Sequence, residues 1–171
     1  MCNQAETQAE NQADIMADID PRRFIPEGKD FHYDEFPFYW LVRLHALYTL
    51  ELERVLKRLK TGIPQRRVLI VLRQHGVVSI STLAMHVVIK PSTLTRILQR
   101  MREAGLIEMR TNAEDARVTD VLITAEGEAL AVRIEEATHR IFVRGYRGLD
   151  AGELEHLMKT LRHMFENLSE H

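Results

Sequence analysis

The sequence predicts a mainly α-helical chain with one small β-hairpin. Three observations carry this. Apolar residues recur at steps of three and four through most of residues 38–168, the period of helices buried on one face. Gly and Pro interrupt that pattern at Gly62, Pro64, Gly76, Pro91, Gly105, Gly145 and Gly148, dividing it into helix-sized pieces. Between Leu106 and Ile123 the helical period gives way to two short strand-like runs around a polar tip.

Residues 1–20 repeat Gln, Ala, Glu, Asn and Asp with few large apolar side chains, so they cannot bury enough surface to offset their ordering entropy. A mobile tail is expected there, with Ile15 and Ile19 able to support at most a transient turn. The first helix spans Phe38 to Leu59, with Leu41, Leu44, Tyr48, Leu52, Val55 and Leu59 as its stripe and Pro37 at its start. A second helix runs from Gln65 to His75, with Val68, Leu69, Val71 and Leu72 inward, and stops at Gly76. Val77 to Ile80 is a short extended link. Ser79 or Ser81 caps a third helix that ends near Val87. After a β-branched connection, Val87-Val88-Ile89, a fourth helix starts with Pro91 in its first turn, runs to Ala104 and closes at Gly105. Its core face is Leu94, Ile97, Leu98 and Met101. Strands are expected at Leu106–Thr111 and Val118–Ile123, around the tip Asn112 to Arg117. Thr124 caps a fifth helix to about Tyr146, with Leu130, Ile134, Ala137 and Ile141 on one face. Asp150 and Glu153 form a capping-box pair for a last helix striped by Leu154, Leu157, Leu161, Phe165 and Leu168.

Composition excludes several classes. The 171 residues are 45% hydrophobic and 28% charged, ordinary values for a globular domain. No apolar run approaches the roughly 20 residues needed to cross a bilayer. The N-terminus shows neither a basic region nor an apolar core of the secretory kind, so a cytoplasmic location without membrane attachment is the default expectation. Cys2 is the sole cysteine, so no intramolecular disulfide can form. The net charge of −2 looks wrong for a partner of nucleic acid, but it is unevenly spread. The first twenty residues carry five acids and no base, whereas Pro64 to Arg117 holds nine bases against four acids.

The order helix, short helix, polar-faced helix and hairpin with a basic tip is that of a winged helix-turn-helix, and its chemistry suits duplex DNA. A helix fills the major groove, where base edges carry an unambiguous pattern. On the fourth helix Ser92, Thr93 and Thr95 are short donors opposite the core face, and Arg96 and Arg100 are long ones able to pair with a guanine edge. The hairpin, with Arg110, Asn112, Asp115 and Arg117, can follow the backbone and put an arginine into the neighbouring minor groove. These nine are the candidate DNA-binding residues.

The ordered set Pro91-Ser92-Thr93-Leu94-Thr95-Arg96, Ala104-Gly105-Leu106-Ile107, Asp115-Ala116-Arg117, then Val121 and Ile123-Thr124 with Gly127, resembles the MarR family of bacterial regulators. The resemblance runs from about Phe38 to Leu168. It implies that Arg96 reads the major groove, that Arg117 is the wing-tip arginine of the minor groove, and that Asp115 helps to hold the wing. Two positions depart from the usual pattern. Ile123 stands where Leu is common, and Ala116 stands where Arg or Lys is frequent, which weakens the expected wing contact.

A winged helix does not need two long amphipathic helices at opposite ends of the chain. Their stripes must be covered, and a second copy of the same helices is the economical cover, giving a twofold dimer whose reader helices meet half-sites about 34 Å apart. Packing of the stripes within one chain is the alternative. The expected organisation is an acidic tail at 1–30, an N-terminal dimerisation region at 31–63, a DNA-binding lobe at 64–124 and C-terminal dimerisation helices at 125–171.

The resemblance also implies a small-molecule effector, often an aromatic acid or its thioester, bound between the dimer helices and the DNA-binding lobe. Phe36, Phe38, Tyr39 and Trp40 with Arg43 make an aromatic wall with one cation, suited to an aromatic carboxylate or its coenzyme A thioester. The same rings would equally pack against a partner subunit. Metal sensing is disfavoured. His156 and His163 lie two turns apart, about 10 Å, too far for one ion, and His139 sits in another helix. No phosphate loop, metal motif, cofactor fingerprint or nucleophile–base spacing points to an enzyme. The expected function is a dimeric regulator, a repressor released from a palindromic operator by its effector. The alternative is a winged-helix protein-interaction module without sequence-specific DNA binding.

Overall fold

The computed structural model describes residues 24–27, 29 and 31–169. The tail expected at residues 1–20 lies outside the described residues. After a short 3-10 turn at Tyr33–Glu35 come helix α1 (Pro37–Arg58), helix α2 (Ile63–His75), strand β1 (Val78–Ser79), helices α3 (Ile80–Val87) and α4 (Pro91–Glu103), strands β2 (Ile107–Thr111) and β3 (Thr119–Ile123), and helices α5 (Ala125–Gly145) and α6 (Ala151–Ser169). The chain divides within α1 into two units, one up to Tyr48 and one from Thr49 onward.

Local chemistry accounts for most boundaries. Gly62 precedes α2, Pro64 sits in its first turn, and Gly76 at φ +72° ends it, donating its N–H to the Leu72 carbonyl at 2.8 Å. Ser79 is the cap of α3, its hydroxyl accepting the Thr82 N–H at 3.1 Å. The Asp150–Glu153 pair forms a reciprocal capping box. The Glu153 N–H bonds the Asp150 carboxylate at 2.9 Å, and the Asp150 N–H bonds the Glu153 carboxylate at 2.8 Å.

The sheet has three antiparallel strands in the order β1-β3-β2, with Val78 opposite Val121 and Met109 also opposite Val121 from the other side. The segment expected as an extended link thus contributes a strand. Two residues are too short a run to show an alternating period, and pairing with β3 makes them a strand. The core of the second unit joins Leu52 and Leu56 of α1, Val68, Leu69 and Leu72 of α2, Leu83 and Val87 of α3, and Leu94, Leu98 and Met101 of α4. Ile107, Val121, Ala131 and Ile134 extend it through the sheet to α5.

The expected stripes of α1, α4 and α6 are not buried throughout. Leu44 is 64% exposed, and of the expected α1 stripe Leu52 is buried, joined by Leu56, which the stripe did not include. Ile97 is half-buried at the edge of the α4 core face. Helix α6 has no buried residue, and Leu157, Phe165 and Leu168 of its stripe are exposed. None of the described helices is long and apolar enough to cross a membrane.

Candidate nucleic-acid interface

Helix α4 splits by period into two chemistries. Leu94, Leu98 and Met101 are buried, which fixes the rotation of the helix, and α4 packs on α3, α2 and β2. Ser92, Thr93, Arg96, Gln99 and Arg100 are then exposed on the opposite side. Thr95 is half-buried, and its hydroxyl donates to the Pro91 carbonyl at 2.9 Å. That proton is used inside the helix, so Thr95 can offer an outside partner only its oxygen lone pairs. Lys90 precedes the first turn, adding a charge at the end where the helix dipole already favours anions.

The hairpin tip is organised around Asn112. Its backbone N–H bonds the Val118 carbonyl at 2.9 Å, closing the ladder of β2 and β3. Its side-chain carbonyl accepts from the N–H groups of Glu114 (2.9 Å) and Asp115 (3.1 Å). Its amide donates to both carboxylate oxygens of Asp120, at 3.1 and 3.0 Å. Asn112 therefore spends its side-chain polar atoms on the turn itself.

Asp115 holds Arg117 in turn. Its carboxylate accepts the Arg117 backbone N–H at 3.0 Å and the guanidinium at 3.1 and 3.0 Å, a bidentate pair. The guanidinium of Arg117, then its amide, draw the Asp115 carboxyl below its ordinary range, and Asp115 raises Arg117 correspondingly. Yet the Arg117 side chain is 90% exposed. It is aimed by one anchored end and presented to solvent with its charge intact. Arg110 is exposed on β2, with its Cα opposite Asp120 of β3.

Residues 31–43 form a separate aromatic cluster. Phe31–Phe36, Phe36–Phe38, Tyr33–Tyr39 and Tyr39–Trp40 meet with ring centroids 5.2–5.6 Å apart. Arg43 donates to the Tyr39 hydroxyl at 3.1 Å and lies 5.3 Å from the Tyr39 ring centre and 5.9 Å from that of Trp40. The Trp40 indole donates to the Asp34 carbonyl at 2.6 Å. Phe36, Phe38, Tyr39, Trp40 and Arg43 are thus brought together, with Phe38 and Trp40 still exposed.

A cleft of about 490 Å³ opens between α2 and α5. Arg66 of α2 lies 5.6 Å from the ring centre of Phe142, and Ile134, Thr138 and His139 line the α5 side. Arg73 closes one wall through ion pairs with Glu128 at 2.8 Å and Glu135 at 2.9 Å, which raise its pKa further.

Comparison with known proteins places these features. The model of the MarR family matches residues 63–119, the segment that holds α2, α3, α4, β2 and the hairpin tip. A curated relative, the HTH-type transcriptional repressor IacR of Pseudomonas putida, is 40% identical over 143 residues, covering 84% of this chain and 86% of the relative. The chain belongs to the MarR family. Its fold is that of solved MarR-family regulators. One from Silicibacter pomeroyi superposes with a TM-score of 0.75 at 24% identity, over 82% of this chain and 94% of that one. BpsR of Bordetella bronchiseptica, whose structure concerns regulation of its DNA binding by 6-hydroxynicotinic acid, has a TM-score of 0.68 at 22% identity, over 78% and 96%.

Within this MarR-family chain, two features were missed by reasoning from sequence. Asp120 is buried, 7% exposed, and anchors Asn112 from the sheet. The signal was available, because a carboxylate inside the apolar run Val118–Ile123 must find donors if the strand is buried. The α2–α5 cleft was missed because Arg66 and Arg73 were counted only as part of a basic stretch, although they stand seven residues apart on one helix.

Proposed function

We propose that this chain is a dimeric repressor that acts in the cytoplasm on a pseudo-palindromic operator and is released from it by a small aromatic acid or its coenzyme A thioester. The observation that carries the reading is the pairing of an exposed polar face on α4 with a hydrogen-bonded wing that presents Arg117. Ser92, Thr93, Arg96 and Arg100 face the major groove, with Arg96 as the main base reader and Thr95 able to act only as an acceptor. Arg117 enters the minor groove, with Arg110 near the backbone. Asn112 and Asp115 act by shaping the wing. The relative from Pseudomonas putida, a repressor by name, supports the direction of control.

Dimerisation is supported by surface that one chain leaves open. Helix α6 has a complete apolar stripe that is nowhere fully buried, with Leu154 and Leu161 half-buried and Phe165 72% exposed. Val42, Leu44 and Leu47 of α1 are exposed as well. Patches of this kind are normally covered by a partner.

The α2–α5 cleft suits the effector. It offers the Phe142 face and the Arg66 guanidinium, the pair that an aromatic carboxylate needs. The regulation of BpsR by 6-hydroxynicotinic acid supports an aromatic acid as the class. The cluster around Arg43 is the second candidate, favoured by its exposed Trp40. Thermal-shift measurements with aromatic acids and their coenzyme A esters separate the two, since a ligand that binds only the folded state raises the melting temperature. Loss of the shift in Arg66→Gln supports the cleft. Loss only in Arg43→Gln moves the site to the aromatic cluster. No shift with any acid or ester sinks the effector reading.

A further inference from the structure

A second cleft, on the other side of α5, carries a chemistry that neither operator nor effector binding uses. It lies between the C-terminal half of α1 and α5 and encloses about 680 Å³. Its α5 wall is one helical stripe, with Arg133, Arg140 and Arg144 at steps of seven and four. Arg58 faces them from α1, and Val55, Leu59 and Ile141 make an apolar floor.

The charge of this cleft is unbalanced. Two carboxylates line it, Glu51 and Glu136, against four arginines. Glu51 is already engaged, pairing with Arg144 and, at 2.9 Å, with Arg54. Arg58, Arg133 and Arg140 make no ion pair among the described residues. With Arg144 engaged by Glu51, three arginines face a single remaining carboxylate, Glu136, so a net positive charge stands around the apolar floor and focuses a positive potential into the opening. Arginine presents a planar donor fork that matches a carboxylate or a phosphate.

We propose that this α1–α5 cleft is a binding site for a small organic dianion, with an apolar body on Val55, Leu59 and Ile141 and its charged group held by Arg58, Arg133 and Arg140. The site is distinct from the α2–α5 cleft and does not depend on what that cleft binds. Because α5 lines both clefts, an anion here bears on the helix that also walls the effector site.

Phenyl phosphate is the probe, titrated calorimetrically into the full-length chain, with inorganic phosphate and benzyl alcohol as the charge-only and ring-only arms. Saturable binding of phenyl phosphate, tighter than either arm and weakening with salt, is expected. Arg133→Gln/Arg140→Gln should lower that affinity by about tenfold or more, since each charge-assisted bond carries about that factor. The melting temperature of this exposed double variant checks its fold. Arg58→Gln, on the opposite helix, provides an independent variant and should also weaken binding. Absence of saturation at millimolar phenyl phosphate overturns the proposal, as does undiminished binding by all of these variants. A loss confined to Arg66→Gln would place the anion in the other cleft and overturn it equally.

Discussion

Gly127→Ala reverses the sign that helix propensity alone assigns. Gly127 lies in the first turn of α5, and alanine in a helix is normally more favourable than glycine by about 1 kcal/mol. A Cβ at this position would stand 2.0 Å from the Leu106 carbonyl oxygen and 2.9 Å from Cγ1 of Ile123. Ile123 can rotate, but Leu106 is backbone, and its oxygen accepts the Thr124 N–H at 3.2 Å. The helix end must therefore move off the strand. Such overpacking costs about 1–3 kcal/mol. The movement also threatens the Thr124 cap, whose hydroxyl donates to the Gly105 carbonyl at 2.6 Å and accepts the Gly127 N–H at 3.0 Å. Losing a cap costs about 1 kcal/mol. Offset by the propensity gain, the net effect is a destabilisation of about 1–3 kcal/mol. Urea unfolding followed by circular dichroism measures it as a lower midpoint at unchanged slope. A midpoint equal to or above that of the unsubstituted protein would refute the close approach of α5 to the Leu106 backbone.

Val88→Gly should stabilise the chain by about 0.5–1 kcal/mol. Val88 holds a left-handed conformation at φ +54°, which costs a β-branched residue about 1–2 kcal/mol, and added backbone freedom takes back part of the gain. Its side chain is 81% exposed, so no packing is lost, and a lower unfolding midpoint would contradict the strain. Asp120→Ala should loosen the wing by leaving the Asn112 amide without its acceptor, seen as faster hydrogen exchange at Glu114 and Asp115; unchanged exchange would remove Asp120 from that network. The Asp115 carboxyl is depressed by Arg117, so the order it lends the wing is present above the ordinary carboxylate range and is lost only as pH falls through its lowered value. The Arg117 amide resonance should hold steady as pH falls through the ordinary aspartate range of about pH 4 and shift only below it, and a titration step centred at about pH 4 or above would contradict the pairing.

Much of this fold was legible in the sequence because its helices are punctuated by residues with one physical meaning. Gly62 and Pro64, Gly76, Pro91 and Gly105 bracket α2 and α4, and the Asp150–Glu153 box closes as its spacing requires. What was not legible depends on tertiary partners. Strand β1 exists only because Val78 and Ser79 find Val121 and Asp120. Val88 occupies a position where glycine would be expected, so nothing local announces its conformation. The stripe on α1 is periodic along its whole length, but periodicity does not say which turns one chain covers, and Leu44 remains exposed while Leu56 is buried. The candidate interface was legible as a set of residue types. The resemblance already implied that Asp115 helps to hold the wing, but that Asn112 also spends its side chain inside the turn, while Arg96 and Arg117 remain exposed, required the hydrogen bonds.

The central claim is that two copies of this chain read a palindrome through Arg96 and anchor through Arg117. Fluorescence anisotropy of a labelled duplex carrying a palindrome from the chain's own upstream DNA, titrated across salt beside a scrambled duplex, tests it most directly. Two chains per duplex are expected, with affinity falling linearly on a log–log salt plot. Arg96→Ala should lose about 1–3 kcal/mol on the palindrome alone, and Arg117→Ala should weaken binding with a shallower salt slope. Equal affinity for palindrome and scramble, or binding that neither arginine affects, would contradict the account.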